Sequence, residues 1–304
     1  MRIGVDVGGT KVEAIALDDA GRELARRRVP SPAHDYDALV ETVRALVVGL
    51  EADLGRAGDV GVGTPGAVSR ATGLIKNANS TELNGRPFPR DLATALGREV
   101  RVENDANCFA LSEATDGSGA GHRLVFGVIL GTGVGGGIAC DGRVWVGTNS
   151  IAGEWGHNEM ASRTEPDLPE TRCYCGRRRC IETYLSGPGL AADHARHGAT
   201  GGADARAVAA LARAGDALAQ ASMARFYERL ARALGSVINV LDPDVIVLGG
   251  GLSNIDELYG EVAARLPGEV FSDQCTTPIV RHRHGDSSGV RGAAWLWPAP
   301  GRDG

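Results

Sequence analysis

The chain has 304 residues, a formal net charge of −6, and 43% hydrophobic against 23% charged residues. That length suggests about two domains and a large core, and the composition is that of an ordinary globular protein. Mild acidity argues against a general nucleic-acid binder, which is usually basic. The opening Met-Arg-Ile-Gly-Val-Asp reads as a strand and not as a leader. The longest apolar stretch, residues 124–140, is broken by glycines and Thr132 and makes a poor membrane helix. A cytoplasmic protein with no nucleic-acid and no membrane partner is expected, with its six cysteines as reduced thiols or metal ligands.

Residues 2–7 and 12–17 read as two strands joined by the turn Gly8-Gly9-Thr10. Residues 36–54 carry Leu39, Val43, Leu46, Val47 and Leu50 at spacings of three and four, which predicts a helix with one buried face. Residues 60–63 are strand-like and end in Thr64-Pro65-Gly66. A further strand over 98–102 runs into Glu103-Asn104-Asp105-Ala106-Asn107 and a helix to about 114. The small-residue stretch 115–121 marks a boundary between two halves. A strong strand follows at 124–130, so the pattern of the first half restarts. Residues 173–180 are irregular, 220–241 a long amphipathic helix, 245–248 a buried strand, and 289–297 a closing helix. Two strand–glycine-turn–strand units predict two related α/β lobes with a cleft between them. A smaller lobe over 1–118 is expected to be joined by a C-terminal helix over 287–304, and a larger lobe spans 119–286.

Gly131-Thr132-Gly133-Val134-Gly135-Gly136 contains a literal G-x-G-x-x-G. A dinucleotide site requires a helix directly after it. Here Ile138-Ala-Cys140 and Arg143-Val144-Trp-Val146 flank Asp141-Gly142, a two-residue hairpin signal. No Gly-Lys-Ser/Thr follows either, so the Walker pattern is absent. What remains is a loop whose consecutive amides can cradle phosphate. Asp6-Val-Gly8-Gly9-Thr10-Lys11 repeats that logic in the first half. A third turn, Gly249-Gly250-Gly251, leads to Ser253 and the periodic stretch Ile255, Leu258, Val262, Leu266, read as a capped helix start suited to a nucleotide.

Asn104 and Asp105 end a strand and open a helix, where one should cap. Phosphoryl transfer to a hydroxyl needs a carboxylate that accepts the proton, and Asp105 is the candidate. His157 precedes Cys173, Cys175 and Cys180. One imidazole and three thiolates make a closed, structural zinc site that staples a loop and fixes nearby Glu154 and Glu182.

Taken together, these stretches resemble the ROK family (repressors, open reading frames, sugar kinases) over nearly the whole chain. Within it they resemble the bacterial fructokinase or manno(fructo)kinase branch. Residues 6–11, 76–81, 103–107, 131–136, 153–157, 173–176, 180–182, 242–251 and 285–294 carry the resemblance. It implies an actin-like (ribonuclease H-like) α/β fold of two lobes with an interlobe active-site cleft, and a homodimer. It implies Asp105 as the base that deprotonates a hexose hydroxyl. Asn104, Glu154, His157 and Glu182 are then sugar contacts, with His157 also on zinc beside Cys173, Cys175 and Cys180. Asp6 and Gly8–Thr10 handle Mg2+ and phosphate, while Gly131–Gly136 and Gly249–Gly251 hold ATP. Asn79, with Asn77, Ser80 and Asn84, is expected at the sugar, with fructose the first choice. Mannose, glucose and N-acetylglucosamine are the alternatives. The family has glycine before the last cysteine, where this chain has Arg179, so a positive φ is expected there. Related regulators carry a DNA-binding segment ahead of the first strand; with a strand starting at Arg2, an enzyme is expected.

Overall fold

The structure is a computed structural model that describes residues 1–32, 34–161 and 168–298, without the side chain of Asp286. The chain parts into two compact units. The first comprises Met1–Arg123, Gly137–Ala152 and the C-terminal part from Arg283; the second comprises Leu124–Gly136 and Gly153–His282. Residues 137–152, expected in the larger lobe, group with the first unit, where Gly137 lies so close to the Ala106 carbonyl that no side chain fits.

In the first unit the strands are β1 (Arg2–Val7), β2 (Lys11–Leu17), β3 (Glu23–Pro30), β4 (Asp59–Thr64), the short pair β5 (Ala67–Val68) and β6 (Ile75–Lys76), and β7 (Val100–Asn104). The helices are α1 (Tyr36–Leu54), α2 (Phe88–Leu96) and α3 (Asp105–Thr115). The main sheet has the order β3-β2-β1-β4-β7. β2 is antiparallel to β1 and β3, whereas β4 and β7 run parallel to β1. β2 shows no polar alternation because both its faces are covered. Val12, Ala14 and Ala16 join the core under α1, while Ile15 and Leu17 join a second core with Leu111, Val290 and Trp295. Predicted helix 36–54 is α1, capped by Asp35, whose carboxylate accepts from the Ala38 amide, and closed by Gly55 at φ 65°.

The strands that follow are β8 (Leu124–Leu130), β9 (Val134–Cys140) and β10 (Arg143–Val144). The Asp141-Gly142 hairpin is present, with φ values of 51° and 72°. The second unit then holds α4 (Glu182–Leu185), α5 (Gly187–Arg196), α6 (Ala205–Arg213), α7 (Ala217–Leu241), β11 (Val245–Gly249), α8 (Glu257–Arg265) and β12 (Ile279–Arg281). β8, β11 and β12 are mutually parallel neighbours, and β11 is buried throughout. α7 begins three residues before its expected start, capped by Asp216. Its fully buried Arg229 reaches the Asp193 carboxylate at 2.8 Å.

The helix start at Ser253 needs correction. Gly251–Asn254 is a short 3-10 turn in which the Ser253 hydroxyl donates back to the Gly250 carbonyl, and α8 begins only at Glu257. A serine that close to a strand end bonds its own turn instead of a helix amide. The closing helix α9 covers Ser288–Trp295 and returns to the first unit; the expected extension over 299–304 lies outside the described residues.

Candidate functional site

In the first unit, three acidic side chains gather where β1 ends and α3 begins. Asp6 is half-buried, its carboxylate lying over Gly63 of β4 and Gly289 of α9, where a Cβ would stand 3.6 and 3.5 Å from Oδ1. Burial, and then the nearby Asp105 carboxylate, pushes Asp6 up to about 7, against the opposing pull of Lys11. The Gly8–Lys11 turn is closed by the Gly8 amide donating to the Lys11 carbonyl at 3.0 Å, and Gly9 and Thr10 are exposed at its tip.

Asn104 is the cap of α3. Its Oδ1 accepts from the amides of Ala106 at 2.9 Å and Asn107 at 3.3 Å, while Nδ2 donates to the Gly66 carbonyl at 2.9 Å. Asp105 therefore sits in the first helical turn, at the positive end of the helix, where a carboxylate is stabilised. Glu103 ties the junction together, accepting from the Asn104 amide at 2.8 Å and from Asn107 Nδ2 at 3.0 Å. Burial raises the Glu103 carboxyl. Burial also pushes the Cys108 thiol up, with Glu103, Asp6 and Asp105 adding to it, so Cys108 is an inert core thiol. Glu103 carries a bridging role that a sequence pattern does not reveal, because its partner Asn107 is set by the helix turn.

Asn79 is exposed and Asn77 adopts φ 60°. Asn84 is exposed and bonds its own loop. Its amide accepts from the Ala78 N–H at 2.9 Å and donates to the Ala78 carbonyl at 2.8 Å, which clips the loop that presents Asn79.

In the second unit, the β8–β9 turn is backed by two side chains. The Gly131 amide donates to the Gly133 carbonyl at 2.9 Å, leaving Thr132 at the tip. Glu182 Oε2 accepts from the Val134 amide at 3.0 Å, and a Cβ on Gly133 would meet that oxygen at 2.5 Å. The Trp155 indole donates to the Gly135 carbonyl at 3.0 Å and fills the place of any side chain on Gly136. Gly250, between Gly249 and Gly251, has φ 79° and rests against the Leu130 carbonyl, where a Cβ would come within 2.4 Å.

Glu182 also faces the cysteine set, with Cys173 Sγ 3.7 Å from Oε1. His157, Cys173, Cys175 and Cys180 offer four ligand atoms that all lie within 4.8 Å of one another. Cys173 Sγ lies 3.6 Å from His157 Nδ1, and Cys175 Sγ 3.6 Å from Cys180 Sγ. Zn–S bonds of about 2.3 Å in a tetrahedron give ligand–ligand edges of about 3.8 Å, so these residues fit a zinc ion. Burial and the adjoining thiols push the Cys180 thiol up to about 12, and a bound cation would favour its thiolate. Arg179 adopts φ 56°, the left-handed conformation expected of it, while its amide and carbonyl bond Thr171 and Met160. Glu154 is exposed one residue before the short turn Trp155–His157.

The sheet order β3-β2-β1-β4-β7, a second glycine turn after β8 and helices on both sheet faces define an actin-like, ribonuclease H-like α/β fold. The chain belongs to the ROK family, whose profile matches residues 2–299. It is 42% identical over 303 residues to the N-acetyl-D-glucosamine kinase of Escherichia coli O9:H4 strain HS, covering 97% of this chain and 99% of that protein. The ROK hexokinase from Thermus thermophilus superposes with a TM-score of 0.86 at 30% identity, covering 97% of both chains. A ROK glucokinase from Streptomyces griseus, solved with glucose and AMPPNP, superposes with a TM-score of 0.78 at 28% identity over 97% of this chain and 98% of that one. No helix among the described residues is long and apolar enough to cross a membrane.

Proposed function

We propose that this protein is an ATP-dependent sugar kinase that phosphorylates a hexose at its 6-hydroxyl, with N-acetyl-D-glucosamine as the sugar. The observation that carries the reaction class is the acidic group at the end of β1 and the start of α3, next to a glycine turn. Asp105 takes the hydroxyl proton as the sugar oxygen bonds to the γ-phosphorus of ATP and the bond from that phosphorus to the β-phosphate oxygen breaks, giving sugar phosphate and ADP. Such a base contributes about 10²–10⁴-fold.

Asp6 fits a hard cation, because burial and Asp105 make its lone negative charge costly. Mg2+ bound there would neutralise charge on the phosphates. The amides of Gly9, Thr10 and Lys11 face the same phosphates, and the Gly8 amide closes their turn. Gly131, Thr132, Gly133, Gly135 and Gly136, with Gly249, Gly250 and Gly251, hold the nucleotide. Asn79, Asn104, Glu154, His157 and Glu182 bind sugar hydroxyls. Zinc on His157, Cys173, Cys175 and Cys180 fixes the loop and takes no part in the phosphoryl step. Glu182, bonded to Val134 on one side and facing Cys173 on the other, connects that loop to the nucleotide turn.

The fructose first expected from the sequence yields its place to N-acetyl-D-glucosamine, because the 42% identical relative bears that name over almost its whole length. A cytoplasmic homodimer completes the reading. The test is a coupled kinase assay comparing kcat/KM for N-acetylglucosamine, fructose, mannose and glucose. A preference for N-acetylglucosamine supports the reading; a preference for fructose restores the other branch; no turnover on any of the four sinks it.

A further inference from the structure

Tyr174 stands between the two zinc-ligand candidates Cys173 and Cys175 and is 74% exposed. Its hydroxyl lies 3.2 Å from His157 Nε2. The two rings meet edge to face, with centroids 5.3 Å apart and an interplanar angle of 81°. The phenol keeps its proton at neutral pH, as a tyrosine ordinarily does. A protonated phenol offers one donor and acceptor lone pairs, as a sugar hydroxyl does.

The imidazole fixes which way the proton goes. Nδ1 faces Cys173 Sγ, on the side where a metal takes its lone pair. A neutral imidazole used in that way carries its proton on Nε2. The Nε2–H then donates to the Tyr174 oxygen, and it is the same donor that a sugar hydroxyl needs. We propose that the Tyr174 phenol and the hexose compete for His157 Nε2, which makes Tyr174 a determinant of sugar affinity. The inference rests on the sugar-kinase reading and on His157 as a sugar contact.

The loop is built for this exchange. The ligand residues on either side and Gly176 at φ 86° hold the backbone, while the exposed ring can rotate into solvent. Displacing the phenol costs one hydrogen bond and one edge-to-face contact but no backbone change. A phenol that merely clamps His157 in place makes the opposite prediction, because its loss would loosen the sugar.

The test is calorimetric titration of the hexose that the wild type phosphorylates into zinc-loaded wild type and Tyr174→Phe. Phenylalanine keeps the ring and removes the competing hydroxyl. Kd is expected to fall about three- to tenfold, the range of one net hydrogen bond, with zinc content unchanged. An unchanged or higher Kd overturns the proposal. In the wild type, saturating hexose should also move the Tyr174 ring resonance to that of a solvent-exposed tyrosine, and an unmoved resonance overturns it as well. A wild type that binds none of the four hexoses fails the kinase reading and this proposal together. A wild type that binds and turns over a hexose while Tyr174→Phe binds no tighter fails this proposal alone.

Discussion

Gly292→Ala tests the packing that holds the base. Gly292 of α9 crosses α3 so closely that a Cβ there would lie 1.6 Å from the Cys108 carbonyl oxygen and 2.3 Å from its carbon. Ordinary contact starts near 3.4 Å, and the obstructing atoms are backbone, so the helices would have to separate by about 1.8 Å (3.4 − 1.6). Overpacking of this kind costs about 1–3 kcal/mol, against about 1 kcal/mol gained from the better helix propensity of alanine. At the upper end of that cost, where a clash with backbone belongs, the net loss is about 2 kcal/mol, which should lower the Tm by about 4–8 °C. Because α3 starts at Asp105, kcat should fall too; misplacement by about 1 Å can cost on the order of 100-fold. Denaturant unfolding and steady-state kinetics read both effects. Gly260→Ala in α8 is the control, since that position faces open space and should gain about 0.5–1 kcal/mol. If Gly292→Ala were as stable as wild type, helix propensity alone would govern the site and the packing argument would be refuted.

Metal analysis of purified protein should find about one zinc per chain. Cys180→Ser should lose it and lower the Tm, and a zinc-free wild type of unchanged Tm and activity contradicts the assignment. Arg179→Gly relieves a left-handed backbone that costs a side-chain residue about 1 kcal/mol, so it should hold zinc about fivefold more tightly in chelator competition. Burial alone would raise the Asp116 carboxyl, but His284 at 3.1 Å and the Arg291 guanidinium outweigh it and hold it below the ordinary range. Its stabilisation is therefore present above the unfolded value of 3.8 and is lost as pH falls through the lower folded value. Asp116→Asn should be less stable than wild type at pH 7 by about 1.5–3 kcal/mol, with the gap narrowing below about pH 4.

The elements most legible in the sequence are those in which local signals agree. In α1 the apolar positions Leu39, Val43, Leu46, Val47 and Leu50 are all buried, and the Asp35 cap and Gly55 stop bound the helix. Asp141-Gly142 settled the hairpin that removes a dinucleotide site, because its left-handed pair of residues is demanded by the turn itself. β3 was not visible. It is an edge strand whose Arg26, Arg27 and Arg28 face carboxylates of Glu23, Asp53 and Glu13, so charge covers what hydrophobic alternation would otherwise announce. Single residues at the site were harder still. Asn84 has the composition of a sugar ligand but serves the Ala78 backbone, and the place of Tyr174 over His157 depends on how the irregular cysteine loop folds. Residue type set the list of candidates for those positions; which groups each one bonds depends on how the chain folds around it.

The central claim is that Asp105 removes a proton from a hexose hydroxyl during phosphoryl transfer from ATP. The most direct measurement compares kcat and hexose Kd for wild type and Asp105→Asn. The account predicts a kcat lower by about 10²–10⁴-fold with Kd within a few-fold of wild type. A variant that turns over at near-wild-type kcat would contradict it.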